Sequence, residues 1–398
     1  MDRSEGAESK LPGAPQVDHS LTLISVSAVM AVGVFALMIA GIQPLVLGAL
    51  QSAGRISVSQ IGIAATSELL ALGLMSALAE VIFSVRYLRV IGISAGVALV
   101  TFNVISTLVS GWDLIAMRAI CGIAAGILLW ITAGLITRSK APERSSAVFL
   151  TVQTLAQFLG AALLPVFGSD NNADLGLWFL AAMAVLCTLS CFAIPRAYAP
   201  LPRAAEMGLR RSMSAAVLVS LLLVVAQVAF VLGIWVYMDP LVHMSGLSPT
   251  VSSIAVAVGL GAQVAGGLVA MVVPKRVTPT SVFIATGAVD LVLLLIFAVH
   301  PGAPLFLVSV FVFGFLWLFI MPFQTLMVVR ADPSRRAAML VPFAQLFGAS
   351  LGPFVASMVA SEANMNGVLM LGAGWVALWL AGIWWLHLGR SSRELAQI

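Results

Sequence analysis

Residues 194–213, IPRAYAPLPRAAEMGLRRSM, form the longest polar gap inside a chain of 398 residues that is 61% hydrophobic and only 9% charged. The gap lies at the middle of the chain and contains three prolines and four arginines. Soluble domains carry roughly 25% charged residues, so this composition excludes a water-soluble fold. A basic, proline-rich gap in such a chain indicates a loop that joins two membrane-embedded halves.

Apolar stretches follow one another outward from this loop in both directions. About 20 apolar residues span the hydrocarbon core of a bilayer, and twelve stretches are long enough. Numbered in chain order, the predicted spans 1 to 12 are residues 21–49, 59–84, 89–110, 112–137, 146–168, 176–194, 213–243, 250–273, 280–299, 305–329, 339–361 and 367–388. The pattern predicts an all-α integral membrane protein with 12 transmembrane helices. Residues 21–194 and 213–388 would form two six-helix bundles joined by a central loop, residues 195–212.

The basic residues predict the orientation of the chain. Eighteen of the 20 Lys and Arg residues border or fill the even-numbered gaps and the two tails: Arg3, Lys10, Arg86, Arg89, Arg138, Lys140, Arg144, Arg196, Arg203, Arg210, Arg211, Lys275, Arg276, Arg330, Arg335, Arg336, Arg390 and Arg393. The odd-numbered gaps hold only Arg55. Cytoplasmic loops are enriched in Lys and Arg. We therefore expect a multi-pass protein of the inner (cytoplasmic) membrane with both tails, 1–20 and 389–398, in the cytoplasm, the first of them disordered.

The same composition argues against several other functions. The net charge is +4, but the positively charged residues lie in short membrane-flanking loops and form no basic stripe. Nucleic-acid binding is therefore not expected. The cysteines Cys121, Cys187 and Cys191 all lie in apolar stretches and are predicted to be buried rather than paired or metal-bound. The four histidines are scattered, and the chain has no nucleotide-binding loop. We expect no enzyme activity, no cofactor, no metal site and no direct use of ATP.

The two halves repeat each other. QPLV at residues 43–46 matches DPLV at 239–242, and QFLGAALLP at 157–165 matches QLFGASLGP at 345–353. Asn103 lies 14 residues after Arg89, as Asp290 does after Arg276. These matches keep the same order at offsets of 196, 188 and 187 residues. Matches in one order at similar offsets indicate a duplicated six-helix half.

With this layout, the chain resembles the major facilitator superfamily of secondary transporters over about residues 20–390. RAICGIAAG at 118–126 is similar to the family's Arg-x-x-x-Gly-x-x-x-Gly element, and GASLGP at 348–353 to its antiporter-type Gly-x-x-x-Gly-Pro element. In span 5 the latter is broken to Gly160…Pro165. After span 2 the family carries Gly-x-x-x-Asp-Arg-x-Gly-Arg, where this chain has ALAEVIFSVR at 77–86. Glu80 replaces the acid, but the following Arg and Gly are missing.

The resemblance implies a fold and a mode of action. In this family spans 1, 4, 7 and 10 line a central cavity, spans 3, 6, 9 and 12 are peripheral, and the halves rock against each other. Glu80 and Arg86 would belong to the cytoplasmic gate. The candidate gate or hinge residues are Pro44, Pro240, Gly122, Gly126, Gly348, Gly352 and Pro353. Small residues allow helices to approach closely, which serves either motion between halves or static packing.

Two ionisable residues at membrane depth are the first candidates for transport. Arg118 in span 4 would either hold a neighbouring helix through carbonyl groups or an acid, or bind an anionic group and control a nearby proton. Its position in the second half is Val310, so it has no symmetric partner. Glu68 in span 2 should be protonated or paired. It would either carry the coupled proton or form a hydrogen bond to Gln153 or Gln157 in span 5.

Further candidates lie beside the prolines and in other spans. Asp239 precedes Pro240, where the helix opens, and would meet water, substrate or a proton, or else cap the helix at the membrane boundary. Gln43, its counterpart before Pro44, is a neutral hydrogen-bonding candidate, and Gln157 joins this group. Asp290 in span 9 should bond a neighbouring helix, and Asp113 should cap span 4.

Aromatic side chains suggest the kind of solute. Trp130, Trp235 and Trp317 lie on spans 4, 7 and 10, and would either line a site for a bulky amphipathic solute or serve packing. We therefore expect a monomeric secondary active transporter that exports a small amphipathic or aromatic solute by alternating access, driven by protons. The alternatives are uptake of an organic or aromatic acid anion gripped by Arg118, and a transport-inactive membrane sensor of the same fold.

Overall fold

The computed structural model describes residues 22–139, 142–167, 173–198, 214–273, 277–332, 337–362 and 364–395. The predicted first tail, most of the central loop and many basic residues lie outside these ranges; the residues concerned are Arg3, Lys10, Lys140, Arg203, Arg210, Arg211, Lys275, Arg276, Arg335 and Arg336. The side chains of Arg390 and Arg393 are not described either.

The described chain is built from α-helices, as predicted. The helices are Leu23–Ala36 and Met38–Ser52 (span 1), Val58–Ile82 (span 2), Leu88–Ser106 (span 3), Gly111–Arg138 (span 4), Pro142–Phe167 (span 5), Leu175–Cys191 (span 6), Ala215–Trp235 and Met238–Met244 (span 7), Pro249–Val272 (span 8), Pro279–Ala298 (span 9), Ala303–Ala331 (span 10), Val341–Val359 (span 11) and Asn366–Leu395 (span 12). A 3₁₀ turn, Ala337–Leu340, leads into span 11. The last helix continues seven residues beyond its predicted end at 388, into the predicted tail.

Within the described residues, eleven helical segments are long and apolar enough to cross a membrane, with the two helices of span 1 counted as one. Span 6 is apolar but has only 17 residues. At 1.5 Å per residue it measures about 26 Å, slightly less than the usual hydrocarbon thickness of about 30 Å. The all-α membrane architecture is confirmed, whereas the count of twelve spans remains a prediction.

Spans 1 and 7 are each divided into two helices, and in span 7 the break lies beside Pro240, where the sequence predicted that the helix opens. Span 7 breaks at residues 236–237, within one turn of Pro240, whose ring displaces the carbonyl four residues earlier. Span 1 breaks at Leu37, two turns before Pro44. The Leu37 carbonyl at that break accepts a hydrogen bond of 2.8 Å from the Gln157 side chain. A neighbouring helix thus satisfies backbone that the break exposes, as membrane depth requires.

The loops that follow the odd-numbered spans lie together at one face of the N-terminal half. Arg55, after span 1, donates to the carbonyls of Ser106 at the end of span 3 and Val109 just beyond it, and pairs with Asp174 before span 6. We call this side, where the odd-numbered loops lie, the odd-loop face. The predictions place it outside the cell.

At the opposite, even-loop face, the start of the central loop packs against the loop between spans 2 and 3. The Tyr198 amide donates to the Val85 carbonyl at 3.1 Å. The Tyr198 hydroxyl donates to the Ile131 carbonyl at 3.0 Å, and the Arg138 guanidinium lies 5.1 Å from the Tyr198 ring centre. Burial raises the pKa of the Tyr198 phenol above its ordinary value. The beginning of the predicted central loop is therefore part of the N-terminal half.

The two halves close against each other toward the odd-loop face. Residues 41–48 of span 1 and 226–242 of span 7 are all buried, whereas span 1 begins with side chains that are 73–85% exposed at Ile24 and Leu23. A helix buried on every side must run through the centre of the molecule. The boundary at which side chains of the two halves meet, which we call the seam, is thus closed at this end.

Glycines hold helices together inside each half. Gly122 and Gly126 of span 4 pack against the span 2 backbone, where an added Cβ would meet carbonyl oxygens. Gly348 and Gly352 of span 11 pack in the same way against span 7. All four were candidates for motion between halves, and the structure places them in close packing within a half. At the seam, the glycine positions include Gly48 and Gly62, which face Asp239 and Pro353.

The glycine contacts also support the internal duplication. Gly122 packs over the Glu68 carbonyl, and Gly314 packs over the Gly259 carbonyl in the second half. This equivalence aligns Gly122 with Gly314, as the sequence alignment of Arg118 with Val310 assumed. It also makes Gly259 the counterpart of Glu68.

These packing contacts predict opposite effects for two glycine substitutions. Gly352→Ala places a methyl group against the Ala229 backbone and should destabilise the protein by about 1–3 kcal/mol through overpacking. Gly374→Ala in span 12 meets no atom within 4 Å and should be neutral or stabilising by up to about 1 kcal/mol, because alanine favours helices. Thermal melting of the purified protein measures both. Equal melting temperatures for the two variants would contradict the packing described.

Candidate functional site

A buried ion pair joins spans 2 and 4. The Arg118 Nε atom donates to Glu68 Oε2 at 3.0 Å, and Arg118 Nη2 pairs with Glu68 Oε1, so the contact is bidentate. Each residue is only 1% exposed. Gly122, one turn after Arg118, brings the two helices close enough for this contact. Bidentate Arg–carboxylate pairs combine strong hydrogen bonds with a defined geometry.

Asn103 of span 3 completes this cluster. Arg118 Nη1 donates to Asn103 Oδ1 at 2.8 Å, and Asn103 Nδ2 donates to the Leu99 carbonyl at 2.8 Å. The alternative partners predicted for Glu68, Gln153 and Gln157, are therefore wrong: its partner is Arg118, and Gln157 bonds span 1. Two roles were predicted for Arg118. The structure shows the contact expected for the first of them, in which Arg118 binds an acid of a neighbouring helix.

The second half has no such pair at the equivalent place. Val310 stands in the position of Arg118, and Gly259 in that of Glu68. The space is filled by the Trp235 ring, which lies against Gly259 beside Val310. Asp290, the sequence counterpart of Asn103, is 3% exposed, and the described part of the chain provides it with no hydrogen bond or ion pair. The predicted bond from Asp290 to a neighbouring helix is therefore not formed.

Asp239 lies at the seam between the halves. Its Oδ1 accepts a hydrogen bond from the Ser252 hydroxyl of span 8, and its Oδ2 lies 3.6 Å from His243 Nε2. The carboxyl group packs against Gly48 of span 1 in the other half and is 7% exposed. Among the described residues, Oδ2 has no hydrogen-bond partner. Asp239 is thus a buried group at the closed end of the seam.

Other amides at membrane depth also lack partners. Gln43 is fully buried, and neither its amide oxygen nor its nitrogen has a hydrogen-bond partner in the described chain. Gln263 of span 8 is 4% exposed, and its amide nitrogen is likewise unpaired there. Buried polar groups are normally hydrogen-bonded. These amides are therefore unsatisfied polar groups at membrane depth within the described chain.

The structure brings together two of the three predicted tryptophans. Trp235 and Trp317 meet edge to face across spans 7 and 10, with ring centres 5.6 Å apart. The Trp235 Nε1 atom donates to the Gly41 carbonyl of the first half at 3.2 Å. Trp130 instead packs near Phe83, 6.4 Å between ring centres, in a separate core within the N-terminal half. An aromatic pair, rather than a three-sided aromatic site, therefore lies at the seam.

Comparison with known proteins assigns this architecture to a family. A family model described as the Major Facilitator Superfamily matches residues 23–341. The chain belongs to the major facilitator superfamily. It is accordingly a multi-pass membrane protein and a transporter of the secondary class. No curated protein sequence matches the chain.

Solved structures of this superfamily share the fold at low sequence identity. The nucleoside transporter NupG aligns with a TM-score of 0.71 at 15% identity, over 92% of this chain and 99% of that one. A D-xylose–proton symporter aligns with a TM-score of 0.68 at 14% identity, over 92% and 96%. The human organic anion transporter MFSD10 aligns with a TM-score of 0.59 at 16% identity, over 91% and 99%. Likeness at this identity establishes the fold and not the solute.

The remaining residues predicted for this superfamily member lie near the two faces or along the seam. Glu80 and Arg86 are exposed at the even-loop face. Pro44 and Pro240 are buried in the broken spans, and the Pro353 carbonyl faces Gly62 across the seam. Asp113 lies in the first turn of span 4, whose N-cap position is held by Ser110. All three cysteines are buried, as predicted.

The cavities between helices of the described chain include two larger ones. One of about 650 Å³ runs between spans 1 and 5, with Arg144 and Ser27 beside otherwise mainly apolar side chains. Another of about 480 Å³ lies between spans 5 and 8 and is almost wholly apolar. The described His, Cys, Asp and Glu side chains form no group of three or more that could hold a metal ion.

Several residues of the site were not found from the sequence. Asn103 was noted as part of the repeat but not as a partner of Arg118. The ion pair between Arg55 and Asp174 was not predicted either. Nor was a chain of three glutamines, Gln227, Gln324 and Gln345, in spans 7, 10 and 11. Polar residues in apolar spans are costly and often functional, and that signal was present for all three glutamines.

The buried cluster predicts how its residues depend on one another. Arg118→Met leaves Glu68 buried without its cation and should cost about 3–5 kcal/mol of stability. The double variant Arg118→Met with Glu68→Met removes both charges and should recover most of that loss. Thermal melting of the purified single and double variants tests this. A double variant no more stable than Arg118→Met would show that the two residues act independently.

Proposed function

We propose that this transporter moves a small amphipathic or aromatic solute across the cytoplasmic membrane by alternating access, coupled to protons. The observation that carries the proposal is the closed seam at the odd-loop face, where a buried carboxyl group of one half, Asp239, packs against Gly48 of the other. Separation of the halves at this face would bring that carboxyl group into contact with water. Closure and proton binding would thus involve the same residue.

The contacts that close the seam support reversible opening. Hydrogen bonds across it include Trp235 to the Gly41 carbonyl, the Gly62 amide to the Tyr237 hydroxyl at 3.2 Å, and Thr66 to the Ser350 carbonyl at 2.9 Å. All join uncharged groups. A neutral hydrogen bond contributes about 0.5–1.5 kcal/mol net, so none of these contacts alone would lock the halves together.

Asp239 is a better proton carrier than Glu68. The bidentate contact with Arg118 compensates the charge on Glu68, so protonation of Glu68 would leave a buried guanidinium without its counter-ion. Asp239 has only a hydroxyl partner and a histidine at 3.6 Å. A proton on Asp239 would therefore remove an incompletely compensated charge when the seam closes, and its loss to water would accompany opening.

The surroundings of the seam support an amphipathic solute over an organic anion. The Trp235–Trp317 pair offers aromatic surface, and Gln43 and Gln263 offer unpaired amide groups. Arg118, the residue that would grip a carboxylate, is already bound by Glu68 and Asn103. An anion would have to displace Glu68, which makes uptake of organic acids the weaker proposal despite the fold shared with an organic anion transporter.

We further propose export as the direction, both termini in the cytoplasm and a monomeric transporter. The charge distribution supports the orientation, because the described basic residues Arg86, Arg89, Arg138, Arg144, Arg196 and Arg330 lie at the ends of spans that meet the even-loop face. A transport-inactive sensor would bind solute without moving it. Flux measured in proteoliposomes separates the two functions.

Substitution of Asp239 tests the proton coupling. Proteoliposomes with an imposed pH gradient are screened with aromatic and amphipathic compounds, and a compound whose flux follows the gradient is retained. Asp239→Asn should lower its gradient-driven flux at least about tenfold, or about 1.4 kcal/mol, because the amide takes up no proton.

Exchange of labelled for unlabelled solute without a gradient should persist in the Asp239→Asn variant. The control, Asp113→Asn, alters an exposed acid outside the site and should leave both rates unchanged. Gradient-driven flux unaffected by Asp239→Asn would refute proton coupling through this residue.

A further inference from the structure

Three glutamine side chains form a continuous hydrogen-bonded chain across the C-terminal half. The amide nitrogen of Gln345 in span 11 donates to the amide oxygen of Gln324 in span 10 at 2.7 Å. The amide nitrogen of Gln324 donates to the amide oxygen of Gln227 in span 7 at 2.6 Å. We call these three residues the amide chain. It joins the two helices that line the central cavity in this superfamily to a third that meets the seam.

The amide chain runs from the interior toward a surface. Gln324 is fully buried and Gln227 is 2% exposed, whereas Gln345 is half-buried. Leu346, the next residue, contacts Gly73 of span 2 in the other half. An uncharged amide inside a span is costly when it faces lipid, so Gln345 is better placed beside water. The accessible end of the amide chain therefore lies next to the seam.

The hydrogen-bonding capacity of the amide chain is not used up. Each glutamine has two N–H donors and one carbonyl oxygen. The two internal bonds use one donor of Gln345, one donor and the oxygen of Gln324, and the oxygen of Gln227. Among the described residues, Gln345 keeps one N–H and its carbonyl oxygen free at the accessible end, and Gln227 keeps its NH₂ group free at the buried end. A ligand head with a donor and an acceptor on the same group would match the two free positions of the Gln345 amide.

An aromatic surface lies at a fixed distance from the amide chain. Trp235 is eight residues after Gln227 in span 7, and Trp317 is seven residues before Gln324 in span 10. Two helical turns separate each tryptophan from its glutamine, about 11 Å along the axis. Both pairs bridge the same two helices. The tryptophans and the amides thus form two successive layers between spans 7 and 10.

We propose that these layers form one binding site for an uncharged amphiphile, in which the Trp235–Trp317 pair holds the apolar body and the amide chain binds a neutral head group. The head carries both a donor and an acceptor, as a carboxamide, urea or lactam does. This inference deepens the proposed function and rests on it, since it names the chemical class of the transported solute.

The absence of a charged residue in the amide chain argues against a ligand with an ionised head group. The amide chain has no charged member, and Arg118 is held by Glu68 in the other half. A buried carboxylate or ammonium group at the amide chain would lose its hydration without gaining a counter-ion, which costs far more than neutral hydrogen bonds return. A carboxamide exchanges bonds with water for equivalent bonds with the glutamines. The site should therefore discriminate between heads of similar shape and different charge.

Three tritiated probes with one ring system test this selectivity: 2-naphthamide, 2-naphthoate and 2-methylnaphthalene. Their displaceable binding to the full-length purified protein is measured without any gradient, so the outcome is independent of proton coupling. We expect 2-naphthamide to bind at least about tenfold more tightly than either other probe, a difference of about 1.4 kcal/mol. Equal binding of amide and hydrocarbon, preference for naphthoate, or no binding of any probe would overturn the inference, while the flux assay would still decide the proposed function.

Substitutions assign the selectivity to the amide chain. Gln324→Met and the milder Gln345→Met keep side-chain length and remove the amide, and each should abolish the preference for 2-naphthamide over 2-methylnaphthalene. Unchanged binding of 2-methylnaphthalene, which needs only the aromatic layer, shows that a variant is folded. Gln51→Met makes the same change at the far end of span 1 and should retain the preference. Retention of amide selectivity by both Gln324→Met and Gln345→Met would place the head group elsewhere.

Discussion

The contact between Arg118 and Glu68 constrains the centre of the N-terminal half. Two charges without access to water are tolerated only if each compensates the other, and the bidentate geometry leaves them little freedom. Asn103 adds a third helix to the same cluster. Spans 2, 3 and 4 must therefore keep their relative register whenever the protein is folded. Such a pair adds little net stability compared with apolar packing, but it specifies which helices meet.

The C-terminal half reaches the same arrangement of helices without charge. Gly259 and Val310 leave space where Glu68 and Arg118 stand in the first half, and Trp235 fills it. The indole ring also extends to the seam, where its nitrogen bonds the Gly41 carbonyl. Duplicated halves have thus diverged into one half fastened by an ion pair and another packed around an aromatic ring. That divergence places aromatic surface, rather than a free charge, beside the centre of the molecule.

Much of the fold could be predicted from the sequence because lipid imposes simple rules. Apolar length predicted the spans, basic residues predicted the grouping of loops, and the repeat of Gln43-Pro44 in Asp239-Pro240 predicted two similar halves. Side-chain partners could not be predicted in the same way. The choice of Arg118 rather than Gln157 for Glu68 depends on the rotation of three helices, which hydropathy does not determine. The break at Leu37 depends on a bond from span 5, and the separation of Trp130 from Trp235 depends on the packing of each core.

The contacts within each half and those across the seam bear on the proposed alternating access. Inside the halves, helices meet backbone to backbone at Gly122, Gly314 and Gly352, where even a methyl group would collide. Close packing of this kind does not deform gradually, so each half should move as a unit. Across the seam, Gly62 also packs closely on the Pro353 carbonyl, and neutral hydrogen bonds and the carboxyl group of Asp239 join the halves. Each neutral bond is worth only about 0.5–1.5 kcal/mol net, since water replaces it on opening. The proposed opening would therefore break neutral hydrogen bonds at the seam, and Asp239 at that boundary would exchange protein contacts for water.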